Sequence, residues 1–382
     1  MKTKIMSLAA AALAVAATGN AQTVIDLTGS TAGRSAVMRA VTNILTSDTF
    51  AFMQNSNNNA NFVGADKQIV KGKLGTNDVI VRASWSGSAA GVRDVAQNNS
   101  SVWFPVDSIN TVALNNTGIN LANNTANTVQ SVAEIAFSDV FQSSTIYTSP
   151  SLTDNYAGII PFKFYASADA PATVANMTEL QAQQLWGTGY IPLAMFSGLA
   201  ADQGKYAYAT GRDPESGTRI TSMAEVGYGV FNAVQQYRPT VVSGSVTAVE
   251  LWPAGVYAEG NGGYSSGSSV KTAIGANAFS NGFGLISYLG SSDWNPTGNK
   301  ELSYNGNSYT ANNVKEGKYT FWGYLHQMGQ PGVVGAAAPT SVTKTFYNSL
   351  LTSVQSDTTW LVKTTDMQVS RTSDGGLVTP SY

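Results

Sequence analysis

The chain has 382 residues, with Lys+Arg 21 against Asp+Glu 23, a formal net charge of −2, one histidine and no cysteine. That length leaves room for more than one domain and a sizeable core. The near-balanced charge excludes a basic nucleic-acid surface, and the missing cysteines exclude disulfides, thiolate metal sites, a cysteine nucleophile and a lipid-modified cysteine.

Residues 1–21 read as a secretory signal. Lys2 and Lys4 precede an apolar stretch over 5–17, and Gly19, Asn20 and Ala21 offer small residues for cleavage. Gln22 is then expected to begin a mature, non-lipidated chain outside the cytoplasm; an uncleaved anchor is the alternative. Residues 24–27 form a short strand pattern, and Gly29-Ser30-Thr31-Ala32-Gly33 a tight turn. From Arg34, the spacing of Val37, Val41 and Leu45 predicts a helix over 34–45. This strand, glycine-rich loop and helix recur. Residues 78–83 read as a strand, 86–91 as the loop and 92–96 as the helix. Residues 134–137 read as a buried strand ending at Ser138-Asp139. Such alternation argues for an α/β domain with a largely parallel sheet, whose ligands sit beyond the carboxyl ends of the strands. The Asn-rich stretches 55–61 and 107–130 show little periodicity and read as surface excursions, or else as partner-binding loops.

Residues 157–166 form a long strand pattern able to cross between lobes. Thr178 and Gln181 have the spacing of a capping box, opening a helix through Trp186 that Gly187 and Gly189 stop. The segment 211–219 packs Arg212, Ser216, Gly217, Thr218 and Arg219 just before a helix expected over 220–228. A strand over 246–251, a helix over 266–278, a strand over 284–289 returning to the first lobe, a strand over 318–325 and a helix over 341–354 complete the pattern. The sole histidine, His326, lies among aromatic residues without a nucleophile motif and reads as structural.

Helix starts present unpaired N–H groups and a positive dipole end, and arginine adds a fork that suits phosphate geometry. The loops 29–33, 87–91 and 216–218 are therefore anion nests in prospect, with Arg34, Arg212 and Arg219 beside them. Asp139 is the contrary charge. Either it caps the following segment or pairs on the surface, or it accepts a hydrogen bond from an anion that carries a proton. A fully ionised anion has no such proton to give and would leave the carboxylate unpaired.

Together these segments resemble the solute-binding protein of bacterial phosphate ABC importers. The resemblance is carried by Asp26-Leu27-Thr28-Gly29-Ser30-Thr31, by Ser86-Gly87-Ser88-Ala89-Ala90-Gly91-Val92, by Ile135-Ala136-Phe137-Ser138-Asp139 and by Arg212 with Ser216-Gly217-Thr218. It implies a two-lobe type II periplasmic-binding-protein fold, each lobe a mostly parallel sheet flanked by helices, with ligand in the cleft. The expected division is 22–163 and 285–382 for one lobe and 164–284 for the other. It implies inorganic phosphate as ligand and a membrane ABC permease as partner of a monomeric, periplasmic or secreted chain, with no cofactor and no metal. By motif, Ser88 donates its hydroxyl and amide, Asp139 accepts the phosphate proton, Arg212 forks onto phosphate oxygens, and Ser216, Gly217 and Thr218 donate from a helix start. Ser30 and Thr31 are donors of the first loop, and Arg34 and Arg219 are further ligands. The family's aspartate midway between arginine and serine is replaced here by Pro214, between Asp213 and Glu215, so the group that orients Arg212 is left open. Another tetrahedral oxyanion (sulfate, molybdate or tungstate) and a surface adhesion role are the alternatives. An enzyme would need a metal cluster or activated nucleophile that the sequence does not offer.

Overall fold

The first expected strand is Thr23–Gly29, buried from Ile25 onward. It lies parallel to both neighbours, Asn77–Ser84 and Ile135–Ser138. Strands covered on both faces need near-continuous apolar runs, which explains why these segments do not alternate. This computed structural model describes residues 22–46, 51–55, 62–110, 118–121, 128–294 and 298–381. The expected signal, residues 1–21, and much of both Asn-rich stretches lie outside the described residues.

A 12-stranded mixed sheet runs in the order Tyr190–Pro192, Tyr206–Ala209, Phe283–Gly290, Thr153–Ala166, Trp322–Gly329, Ile135–Ser138, Thr23–Gly29, Asn77–Ser84, Lys67–Leu74, Ala51–Asn55, Gly118–Leu121, with Lys300–Glu301 beside Thr153–Ala166. Pairing is parallel where the expected loops emerge, at Ile135–Ser138, Thr23–Gly29 and Asn77–Ser84, and again between Tyr206–Ala209 and Phe283–Gly290. The three parallel strands of the first group point the same way, so the loops that follow them gather at one edge of the sheet. The middle is antiparallel. Thr153–Ala166 lies between Phe283–Gly290 and Trp322–Gly329, and carries the sheet from one half into the other.

Helices flank this sheet. Arg34–Ile44 packs against Val342–Gln355 over a core that includes Val37, Val41, Phe346 and Leu350. The capping box forms as expected. Thr178 Oγ1 accepts the Gln181 N–H, Gln181 Oε1 accepts the Thr178 N–H, and the helix Glu179–Thr188 ends at Gly189 in the left-handed region. The strand expected at 246–251 is real but lies outside the large sheet. Ser245–Leu251 folds back on Tyr237–Val242 because Ser243 and Gly244 both take positive φ (49° and 77°), the turn geometry that favours a local hairpin. The late strand starts only at Trp322 and continues to Gly329, placing His326 in the sheet interior with Nδ1 2.9 Å from Asp154 Oδ2.

One charged pair lies inside the parallel group. Arg82 Nε and Nη2 donate to Asp26 Oδ1 and Oδ2 at 2.6 and 2.5 Å, and Nη1 donates to the Phe104 carbonyl. Removing one partner of a buried pair leaves the other charge without compensation. Arg82→Met is expected to destabilise the fold by about 3 kcal/mol at neutral pH. Chemical denaturation measures this, and a loss under about 1 kcal/mol would contradict the assignment.

Candidate anion-binding site

The loop after the first strand turns on Gly29, which takes φ +113°. A Cβ there would stand 2.0 Å from the Phe137 carbonyl oxygen, so only glycine fits. Ser30 then donates its N–H to that same carbonyl at 2.7 Å, and its Oγ accepts the Gly33 N–H at 3.0 Å. Two further helices begin at the same edge. Ser88–Ala96 follows Gly87, and Gly217–Glu225 follows Ser216, whose Oγ accepts the Arg219 N–H at 3.3 Å. Both start earlier than the apolar spacing suggested. Ser88 and Gly217 are thus first-turn residues, and the first N–H groups of a helix have no partner within it.

The two helix starts and the strand end Ser138-Asp139 meet. The Ser88 hydroxyl donates to Asp139 Oδ1, and the Asp139 N–H donates to Ser88 Oγ at 3.1 Å. The Thr218 hydroxyl donates to Asp139 Oδ2 at 3.2 Å. Gly217 closes the gap between them. A Cβ there would lie 1.9 Å from Asp139 Oδ1 and 2.2 Å from Ser88 Oγ, so a side chain would fill the space where the three segments converge. Arg212 approaches from the other half, with Nη1 donating to Thr31 Oγ1 at 2.9 Å. The group that orients Arg212, left open by the sequence, is backbone. Its Nε donates to the Tyr264 carbonyl and its Nη2 to the Ser265 carbonyl, at 3.0 and 2.7 Å. Carbonyls hold the guanidinium without neutralising it. Asp213 instead accepts the Glu215 N–H.

Of the expected site residues, Ser30, Thr31, Ser88, Asp139, Arg212, Ser216, Gly217 and Thr218 are all buried and meet around one carboxylate and one guanidinium. The other two arginines differ. Arg219 stands two residues, and so about 200° of helical turn, beyond Gly217. Its guanidinium donates to the Arg212 and Asn261 carbonyls and to Asn261 Oδ1, away from Asp139. Arg34 comes off the first loop, but its Nη2 goes to Ser268 Oγ and Asp293 Oδ1 at 2.8 and 2.9 Å. As they stand, Arg219 braces the segment before its helix and Arg34 ties two distant segments through Nη2, while Arg34 Nε and Nη1 are buried without a hydrogen-bond partner. Tyr264, Ser265, Ser268 and Asp293 carried no motif. The first two act through carbonyls, which any residue supplies, so no sequence signal marks them.

Burial pushes the Asp139 pKa up from 3.8 to about 6; its own backbone amide, Arg212, Thr218 and Ser30 pull it partly back. Among the described residues there is no group of three or more His, Cys, Asp or Glu able to hold a metal, and no helix long and apolar enough to cross a membrane.

No family model matches the chain, and no curated protein matches it. Among solved structures it is similar to one assigned as a phosphate ABC transporter substrate-binding protein with bound phosphate, from Clostridium perfringens. The identity is 13%, the TM-score is 0.52, and the match covers 89% of this chain and 99% of that chain. An ABC-type phosphate transport receptor from Vibrio cholerae aligns more loosely, at 15% identity and TM-score 0.46 over 85% of this chain and 93% of that one. The likeness to the first is one of fold alone: a two-lobe α/β architecture with a large sheet flanked by helices.

The raised Asp139 pKa has a consequence for stability. The folded state holds that proton more tightly than the unfolded chain does. The corresponding stability is fully present below about pH 4 and is lost as pH rises through about 6. Asp139→Asn removes this loss and keeps an acceptor for Ser88. In phosphate-free buffer the variant is expected to match the parent near pH 4 and to exceed it by about 2 kcal/mol above pH 7. Glu134, pushed up to about 7 mainly by burial, titrates in both proteins and cancels. Unfolding measured at the two pH values tests this; a pH-independent difference would contradict it.

Proposed function

We propose that the protein captures inorganic phosphate between two lobes as the solute-binding component of an ABC importer. In this reading residues 22–163 and 285–382 form one lobe and 164–284 the other. Residues 1–21 direct export, and the loaded monomer delivers its ligand to a membrane permease. The observation that carries the reading is the buried Asp139 carboxylate set among donors: the Ser88 and Thr218 hydroxyls, the Arg212 guanidinium and the start of Gly217–Glu225.

A phosphate anion entering between Ser88, Asp139 and Gly217 takes over the hydrogen bonds these groups now make with one another. Backbone amides and hydroxyls serve its ionised oxygens, and Arg212 offsets its charge. Asp139 accepts a proton-bearing oxygen. Sulfate carries no such proton at neutral pH and faces an unpaired buried carboxylate. The chemistry proposed for these groups is binding.

Calorimetric titration tests the reading. Phosphate is expected to bind in the micromolar range, about −8 kcal/mol, with sulfate weaker by at least about a hundredfold. Asp139→Asn is expected to narrow that gap by about tenfold or more. Absence of phosphate binding, or tighter binding of sulfate or molybdate, would overturn it.

A further inference from the structure

Glu215 precedes the capping Ser216 and touches none of the atoms that face the anion. Its side chain and backbone instead reach three separate points on the opposite lobe. Tyr147 Oη donates to Glu215 Oε1 at 2.8 Å, and Arg93 Nη1 donates to Oε2 at 3.2 Å. The Glu215 carbonyl accepts the Ala89 N–H at 3.0 Å. Ala89 adjoins Ser88 and Glu215 adjoins Ser216, so these bonds stand one residue outside each of the two helix starts.

The partners are held in place. Arg93 is anchored by Nη2 to the fully buried Asp94 at 3.0 Å, and its guanidinium lies 5.9 Å from the Tyr147 ring centre. The Glu215 side chain is 20% exposed and the Arg93 side chain 29%, so the ion pair is partly shielded from solvent screening. The Ala89 bond also uses one of the orphan amides of helix Ser88–Ala96, leaving its neighbours for the ligand.

We infer that Glu215 is a positioning residue that clasps the two lobes together, setting how long the anion is held without contacting it. This rests on the reading of the site as a cleft that closes on an anion. Bonds that exist only when the lobes meet favour that arrangement by their full differential strength, and release requires breaking them. The clasp is therefore expected in the dissociation rate, while association, limited by encounter with the open cleft, changes little.

Phosphate release followed by stopped flow tests this on Glu215→Ala, Glu215→Gln and the Arg93→Met/Tyr147→Phe pair. Glu215→Ala is expected to speed release by about tenfold, with association changed less than about threefold. Glu215→Gln, which still accepts from Tyr147, is expected to fall between. Because the three side chains act together, adding Glu215→Ala to the Arg93/Tyr147 pair is expected to change release by no more than about twofold. An unchanged release rate, or an effect confined to association, would overturn the clasp. Hydrogen exchange at the Ala89 amide, without added anion, separates this from the functional reading. Glu215→Ala is expected to raise exchange there about tenfold while the Leu27 amide in the sheet is unaffected. Unchanged exchange at Ala89 would sink the clasp whatever phosphate does; a parent protein that takes up no phosphate would sink the functional reading and leave the exchange result standing.

Discussion

A single buried carboxylate organises this molecule. Asp139 sits at the carboxyl end of a central strand, fully enclosed, and burial alone makes its ionised form costly. The surroundings answer that cost with donors in place of a salt bridge: two hydroxyls at helix starts, its own backbone amide, and a guanidinium held from behind by carbonyl oxygens. Glycine at 217 follows from the same constraint, since any Cβ would occupy the space these groups share. An acid so placed favours a partner that brings a hydrogen of its own.

The fold supplies the convergence. Parallel strands release their loops at one edge, and Gly29 lets the first of them lie against the Phe137 carbonyl. The long strand Thr153–Ala166 leads the chain into the second half and its antiparallel neighbour Phe283–Gly290 leads it back; from that half Arg212 and the start of Gly217–Glu225 reach the same point. Polar contacts join the two halves beside an apolar cluster of Ala89, Val140 and Ile220. Arg212 reaches Thr31, Arg34 reaches Ser268 and Asp293, and Glu215 reaches Arg93, Tyr147 and Ala89.

Much of this was legible in the residues. Glycine-rich turns between apolar runs marked the strand–loop–helix units, and hydroxyl and arginine side chains before helices marked the loops that converge on Asp139. Asp139 was singled out by its sign among these donors. What escaped had physical reasons. The helix starts at Ser88 and Gly217 fall before the apolar spacing begins, because capping and tertiary contacts decide a first turn. Ser245–Leu251 left the large sheet because of two positive-φ residues at Ser243 and Gly244, a local effect stronger than its strand pattern. Arg219 shares the arginine-rich turn with Arg212 but not its direction, since helical rotation separates positions that adjoin in sequence. The carbonyls of Tyr264 and Ser265 leave no trace in composition at all.

The most direct measurement is a crystal structure of the protein grown with phosphate. The account predicts one anion enclosed by Ser88, Asp139, Arg212 and residues 216–218, with an Asp139 carboxylate oxygen about 2.5–2.7 Å from a phosphate oxygen, the span of a charge-assisted O–H···O bond. Phosphate bound elsewhere, or bound here with the Asp139 carboxylate turned away, would contradict it.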